Sequence, residues 1–170
     1  MLLTEENTNH LSSAEFVDHF SIELFAEENL YLLQQERINT IPSYFYHAAY
    51  ILEFQTEFLM SGLTIQLSNS SVYNFENALN SFKETGNNRV SECLEAIIAT
   101  LKNFGLKPTD MRERFVNGTQ DLPEYSIIKP SQFQDADLEE ELAVHEEHLW
   151  TLIDNVRDDL ENYLFKIRGK

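Results

Sequence analysis

The sequence predicts an all-α fold: a single compact multi-helix domain over residues 1–170, wrapped around one buried central helix and closed by a long acidic C-terminal helix. Three observations carry that prediction. The stretch from Ile41 to Ser71 is the most apolar of the chain, and from Tyr44 to Met60 its only clearly polar side chains are His47, Glu53, Gln55, Thr56 and Glu57. Its apolar residues fall on every side of a helical wheel, as in a helix buried all round. The segments on either side repeat apolar residues at three- and four-residue spacing, as helices buried on one face do. Five Gly and four Pro leave little turn chemistry for the many hairpins of an all-β fold.

Met1 to Leu11 read as a frayed polar lead-in. Ser12, with Glu15 three residues later, has the form of a capping box. A helix is expected over 13–35, with Phe16, Val17, Phe20, Leu24, Leu30 and Leu33 in its stripe and a break near Asn29. Ile38 to Pro42 connects it to the central helix, where Pro42 suits a first-turn position that needs no N–H. Ser61-Gly62 interrupts the central pattern. Leu63, Ile65 and Leu67 alternate as a strand would, but no second strand lies nearby, so 62–69 reads as a turn plus a short helix. Ser70 or Ser71 should cap a helix over 72–84, with Phe75, Ala78, Leu79 and Phe82 inward and Gly86 as a left-handed cap.

The next helix, 88–103, buries Val90, Cys93, Leu94, Ile97, Ile98 and Leu101 and ends at Gly105. Leu106 to Pro130 is the least regular stretch, with a short helix over 110–116 and turn signals at Asn117-Gly118 and Leu122-Pro123. The last helix is expected to run unbroken over 135–167. Leu138, Leu142, His145, Leu149, Leu152, Val156, Leu160, Tyr163 and Ile167 form its seam.

The formal net charge is −17, and it is uneven. Residues 1–40 hold eight acids and one base, and residues 131–170 hold eleven acids and four bases. Direct binding to nucleic acid or to an anionic membrane is not expected, because both need positive charge. A basic partner fits, and acidity that merely keeps a protein soluble is the plainer alternative. The single cysteine, Cys93, cannot form an internal disulfide and points to a reducing, cytoplasmic compartment. On a buried face with no basic group spaced to activate it, Cys93 reads as a small hydrophobe and not as a nucleophile. The first ten residues lack the basic and apolar regions of a signal peptide. Glu53 and Glu57 interrupt the longest apolar run, so no membrane span is expected.

Opposite the seam of the last helix, Glu140, Glu147, Asp154 and Glu161 recur every seven residues, with Asp158 among them. Sevenfold spacing at helical rise puts such carboxylates about 10 Å apart. The plain reading is the solvated face of a long helix, and geometry alone favours it. Glu15, Asp18, Glu23 and Glu27 make a second acidic face. Glu141, His145 and His148 come near one another on a helix. A di-metal carboxylate bundle, however, needs Glu-x-x-His on two helices, and no second such pair exists. No metal or other cofactor is therefore expected, and His145 on the apolar seam reads as a hydrogen-bonded core histidine.

Glu53 and Glu57 share a face with Tyr46 and Tyr50, an arrangement that acid/base chemistry could use. A buried carboxylate must be hydrogen-bonded, and the backbone N–H groups at Ser61-Gly62 are the expected partners. No Walker loop, G-x-G-x-x-G, G-x-S-x-G, H-E-x-x-H or C-x-x-C motif is present. An enzyme is not expected, and no catalytic residues are assigned.

Glu57 lies near the end of an apolar helix, Gly62 and Leu63 follow, then Gln66, then Asn69-Ser70. This succession resembles the hallmark of the bacterial DNA-mimic protein family, once catalogued as a domain of unknown function. The hallmark is a Glu at the end of an apolar helix, Asn-Gly-Gly-Phe, a Gln, aromatics and Asn-Ser. Glu57 matches the Glu, Gly62 the second Gly, and Asn69 and Ser70 the Asn-Ser, while Leu63 stands for the Phe. Gln66 is one place off, and Met60 and Ser61 replace the Asn and the first Gly, so this would be a divergent member. Ala78-Leu79, Thr85-Gly86-Asn87, the helix around Glu92 to Ala96, and Tyr163-Leu164 extend the likeness over 41–170.

The hallmark residues Glu57, Gly62, Leu63, Asn69 and Ser70 combine a turn with buried apolar groups, a structural role. The resemblance implies an all-helical, dimeric domain whose carboxylates imitate DNA phosphates. Such a domain keeps a basic DNA-binding protein, a transcription factor or nucleoid protein, off its operator. DNA binders dock through Lys and Arg on phosphates, so a rigid acidic ridge competes for the same surface. The partner-binding residues would be Glu140, Glu147, Asp154, Asp158 and Glu161, with Glu15, Asp18, Glu23 and Glu27 as a second face. Two other classes stand beside this one. One is an immunity- or antitoxin-like protein blocking a toxin through a specific interface, and the other a metal-dependent enzyme through Glu141, His145 and His148.

Overall fold

The computed structural model describes residues 2–34, 41–119 and 135–169, and among them every regular element is a helix. The chain opens with α1 (Glu5–Thr8) and α2 (Ser13–Glu23). It then forms α3 (Ser43–Ser68), α4 (Phe75–Glu84), α5 (Asn88–Asn103), α6 (Pro108–Thr119), α7 (Ala136–Leu152) and α8 (Val156–Arg168). Short 3-10 segments occupy Glu27–Leu33, Ser70–Asn74 and Ile153–Asn155. No described helix is long and apolar enough to cross a membrane.

α3 is the centre of this single all-α domain, as its all-round apolar pattern predicts. α2, α4, α6, α7 and α8 all pack on it, and α5 closes the layer behind α4 and α7. Aromatic edges lock the packing. Phe16 and Phe20 of α2 meet Phe45 edge-on, each at 5.4 Å between ring centroids. Phe54 meets Phe75 at 5.8 Å and Phe82 at 5.6 Å in the same manner. Each such pair contributes roughly 0.5–1.5 kcal/mol beyond its burial.

Where local signals are strong, the elements begin and end as expected. The Ser12–Glu15 capping box starts α2, with both reciprocal bonds present. The side chain of Asn87 accepts from the N–H of Val90 to start α5, and the chain is left-handed at Gly86 and Gly105. The stretch 62–69 is a turn plus a short helix. Dihedral angles of φ 75° and ψ 173° at Gly62 kink α3, and the helix resumes to Ser68.

The lead-in is docked, not frayed. Leu3 is fully buried. Its N–H donates to Asn29 Oδ1 at 2.8 Å, and its carbonyl accepts from the Tyr31 hydroxyl at 2.6 Å. Farther on, the Arg168 guanidinium donates to the carbonyls of Thr8 and Leu11 at 2.8 and 3.1 Å. The segment looks polar in sequence because the groups that hold it come from elsewhere in the chain.

The first long helix stops earlier than its stripe predicts. α2 ends at Glu23, and buried Asn29 donates to the Glu23 carbonyl at 2.9 Å. An asparagine amide that satisfies a helix's last carbonyl offers the backbone an alternative to continuing it. Ser70 and Ser71 do not cap α4 directly, since the 3-10 turn Ser70–Asn74 intervenes. α6 runs to Thr119, so the Asn117-Gly118 turn signal falls inside its last turn. The connection at 38–40 and the Leu122-Pro123 turn signal lie outside the described residues.

The last helix is two helices. α7 and α8 are separated at Ile153–Asn155. Gln55 of α3, itself buried, donates its amide to the Ile153 carbonyl at 3.1 Å, fixing the site of the break. Beyond it the buried face shifts. Val156, Leu160 and Leu164 are buried, while Tyr163 is only partly covered and Ile167 is 50% exposed, so the seam expected to end on those two residues does not.

Candidate functional site

The acidic ridge follows from which side of α7 is buried. Leu138, Leu142, Leu149 and Leu152 face the core. α7 packs against α5 and α3 through that side. Glu140 and Glu147 therefore point outward and are exposed. Asp135 caps the helix, its side chain accepting from the N–H of Leu138 at 3.2 Å. The break divides the ridge. Asp154 is exposed at the joint, and exposed Asp158 and half-exposed Glu161 follow on α8. Among the described residues no hydrogen bond or ion pair engages Glu140, Glu147, Asp154, Asp158 or Glu161.

The second acidic face is carried to the first by packing. α8 lies against α2, and Arg157 of α8 forms an ion pair with Asp18 of α2. Glu15 is committed to the capping box, its carboxylate accepting from the Ser12 N–H at 2.9 Å. That bond holds its carboxyl below the usual range. Glu27 is exposed in the 3-10 segment after α2, and Glu23 is half-exposed at the helix end. Asp18 thus meets α8 at Arg157, while Glu15, Glu23 and Glu27 lie along α2 and its continuation.

Arg157 apart, three described cations are turned to contacts away from these faces. Arg112 donates to the Ser68 carbonyl at 2.9 Å and ties α6 to the end of α3. Arg168 holds the lead-in and sits 4.6 Å over the Phe16 ring. Lys83 pairs with Glu95 between α4 and α5.

The paired carboxylates of α3 find asparagines. Glu53 is 7% exposed and accepts from Asn74 Nδ2 at 2.8 and 2.9 Å. Burial pushes its carboxyl up to about 7, against the opposing effect of the Asn74 bonds. Glu57 accepts from Asn69 Nδ2 at 3.4 Å. Toward the start of α3, the Tyr46 hydroxyl donates to Asn77 Oδ1 at 3.1 Å, and His47 Nδ1 lies 3.2 Å from the Ser81 hydroxyl. These contacts make a polar ladder between α3 and the chain that folds back along it.

The expected partners at Ser61-Gly62 serve neither carboxylate. The turn's N–H, on Leu63, donates instead to Glu146 of α7 at 3.2 Å. Of the positions singled out around this turn, Glu57 and Asn69 meet, Gly62 turns the chain and Leu63 is fully buried, while Ser70 is exposed.

His145 Nε2 lies 2.8 Å from the Thr100 hydroxyl of α5, the hydrogen-bonded histidine that its place on the seam suggests. Burial lowers its pKa, with Glu141 opposing. Glu141 and His148 are exposed, and among the described residues no three His, Cys, Asp or Glu side chains are placed to hold a metal ion. Cys93 is buried and its thiol donates to the His145 carbonyl at 3.8 Å. Burial pushes that thiol up to about 11, which keeps it protonated and unreactive at neutral pH.

Sequence reasoning passes over two residues here. Glu146 spans α7 and the kink of α3. Trp150, 44% exposed, packs its ring on Phe58 at 4.6 Å. Trp150 was legible as the one tryptophan, on the same side of the helix as Glu147. Compared with protein-family models, with curated proteins and with solved structures, the chain matches none of them.

Proposed function

We propose that this protein is an acidic regulator whose surface carboxylates stand in for DNA phosphates and sequester a basic DNA-binding protein, a transcription factor or nucleoid protein. The observation that carries the reading is the placement of the charge. Exposed Glu140, Glu147, Asp154 and Asp158 follow one another along α7 and α8, and α8 lies beside the acidic face of α2. A −17 chain that turns Arg112 and Arg168 to internal bonds keeps that surface strongly negative. Proteins that read DNA approach it through Lys and Arg on phosphates, and such a surface offers them a competing anion. The resemblance around Glu57 to Ser70 supports the same reading, with this chain as a divergent, dimeric, cytoplasmic member of the DNA-mimic family.

The test is charge reversal on the ridge. Glu140→Lys, Glu147→Lys and Asp154→Lys together should abolish capture of a basic DNA-binding partner from native extract while circular dichroism keeps its helical signal. Capture by the parent protein should also weaken steeply as salt shortens the screening length toward roughly 3 Å at 1 M. A partner held equally well by the triple variant, or one that resists salt, would refute mimicry and favour the immunity-type interface.

A further inference from the structure

We infer that the outward face of α7 is the arginine-reading part of this interface: Trp150, flanked by Glu147 and Asp154, receives the guanidinium of an arginine-bearing segment of the basic partner. The inference rests on the reading above and assigns its anchor.

Isolated exposed apolar side chains are ordinary on protein surfaces and need no partner. Trp150 differs in how it is held. One side of its ring packs on Phe58, which is fully buried in α3, so the indole is fixed while 44% of the residue stays open. Leu149, Leu152 and Ile153 are buried, and Trp150 sits at the margin of that buried face, where α7 meets α3 and solvent begins. Helical spacing places Glu147 one turn before it, and exposed Asp154 follows in the 3-10 segment that ends the helix. Val144 is 64% exposed. Val144 and Trp150 project about 120° apart around the helix, so the carboxylates of Glu140 and Glu147 run between two apolar flanks, with Trp150 on one of them.

That combination selects its occupant. A second copy seated on this face would set its own Glu147 and Asp154 against these carboxylates with no cation between them. An apolar segment without charge would have to desolvate Glu147 and Asp154 with nothing to replace their water. An arginine satisfies both demands: its planar guanidinium stacks on an aromatic face while its N–H fork pairs with carboxylates. A lysine offers a strongly hydrated point charge and stacks less well.

Trp150 is the chain's one tryptophan, so its emission reports on this spot alone. The full-length protein is titrated with octa-arginine and with octa-lysine, equal in charge, at low salt. Octa-arginine should bind, perturb the indole emission and shield it from acrylamide. Octa-lysine should bind roughly two- to five-fold more weakly, as a cation–π contact predicts, with a smaller emission change. By calorimetry, Trp150→Leu should bring octa-arginine down to the octa-lysine affinity with helix content unchanged. Equal affinities with undisturbed emission would place binding elsewhere on the acidic surface, overturning this assignment and leaving the proposed function intact. No binding of either peptide would count against the proposed function itself. An emission that depends on protein concentration, together with sedimentation as a dimer, would show a second copy over Trp150 and overturn the arginine assignment.

Discussion

Glu146 of α7 lies over Gly62 of α3. Its Oε2 accepts the Leu63 N–H at 3.2 Å, and a Cβ added to Gly62 would stand 2.5 Å from its Oε1. Gly62 adopts φ 75° and ψ 173°, a region that side-chain-bearing residues enter at a cost of order 1–3 kcal/mol. Gly62→Ala should therefore lower stability by about 2–4 kcal/mol in urea denaturation, combining that strain with the displaced Glu146 bond. Adding Glu146→Ala should cost less in the Gly62→Ala background than alone, because the clash has already broken the contact. A neutral Gly62→Ala would refute this account of the kink.

Glu53 makes stability depend on pH in the direction opposite to an exposed, paired carboxylate. Burial raises its folded value from 4.5 to about 7. Its contribution is fully present below the unfolded value and is lost as pH rises through about 7. The unfolding midpoint in urea should fall between pH 5 and pH 8, and Glu53→Gln should flatten that fall. At pH 8 the glutamine variant should be the more stable by about 2–3 kcal/mol, provided Asn74 still bonds it. A parent and variant with parallel pH profiles would sink the assignment.

Arg168 clamps the lead-in through the Thr8 and Leu11 carbonyls and covers the Phe16 ring. Arg168→Met keeps much of the apolar stem and removes the donors. Stability should drop by about 2–3 kcal/mol, since two charge-assisted bonds are lost. Hydrogen exchange should accelerate at the amides of α1 before it does at those of α3. Uniform acceleration across the chain would mean that the clamp is not local.

Arg157 places a positive charge where the acidic faces of α2 and α8 meet. Its pair with Asp18 is solvent-exposed, at 39% and 71% for the two side chains. Such pairs contribute about 1 kcal/mol or less, so Arg157→Ala should change stability little. Removing the cation should instead tighten binding of a basic partner, read as a faster association rate at low salt. Weaker binding would show that Arg157 itself touches the partner.

What was legible in the sequence depended on the range of the interaction that decides it. α5 occupies the residues its periodicity predicts, because Asn87 and Gly105 are its own neighbours and set its ends. The outward direction of Glu140 and Glu147 follows from the leucines of the same helix. The breaks were not legible. An asparagine six residues past Glu23 ends α2, and a glutamine in α3 fixes where α7 gives way to α8. Neither side chain announces which distant carbonyl it will satisfy. For the same reason the N–H groups at Ser61-Gly62 look free for Glu53 and Glu57 until α7 delivers Glu146. Trp150 shows a different gap: periodicity sorts residues into core and surface, and it has no category for a ring held by the core and open to solvent.

The bond from Arg168 to Thr8 joins residues 160 positions apart. α2 is synthesised well before α8, the helix that closes one side of it. At about 5–20 residues per second, the growing chain exists for roughly 7–30 seconds with that side of α2 still uncovered. During this interval Phe16 and its neighbours are available to chaperones, to proteases and to other nascent chains. Substitutions in α8 should therefore reduce the yield of folded protein during synthesis more than they reduce the stability of molecules that have already folded.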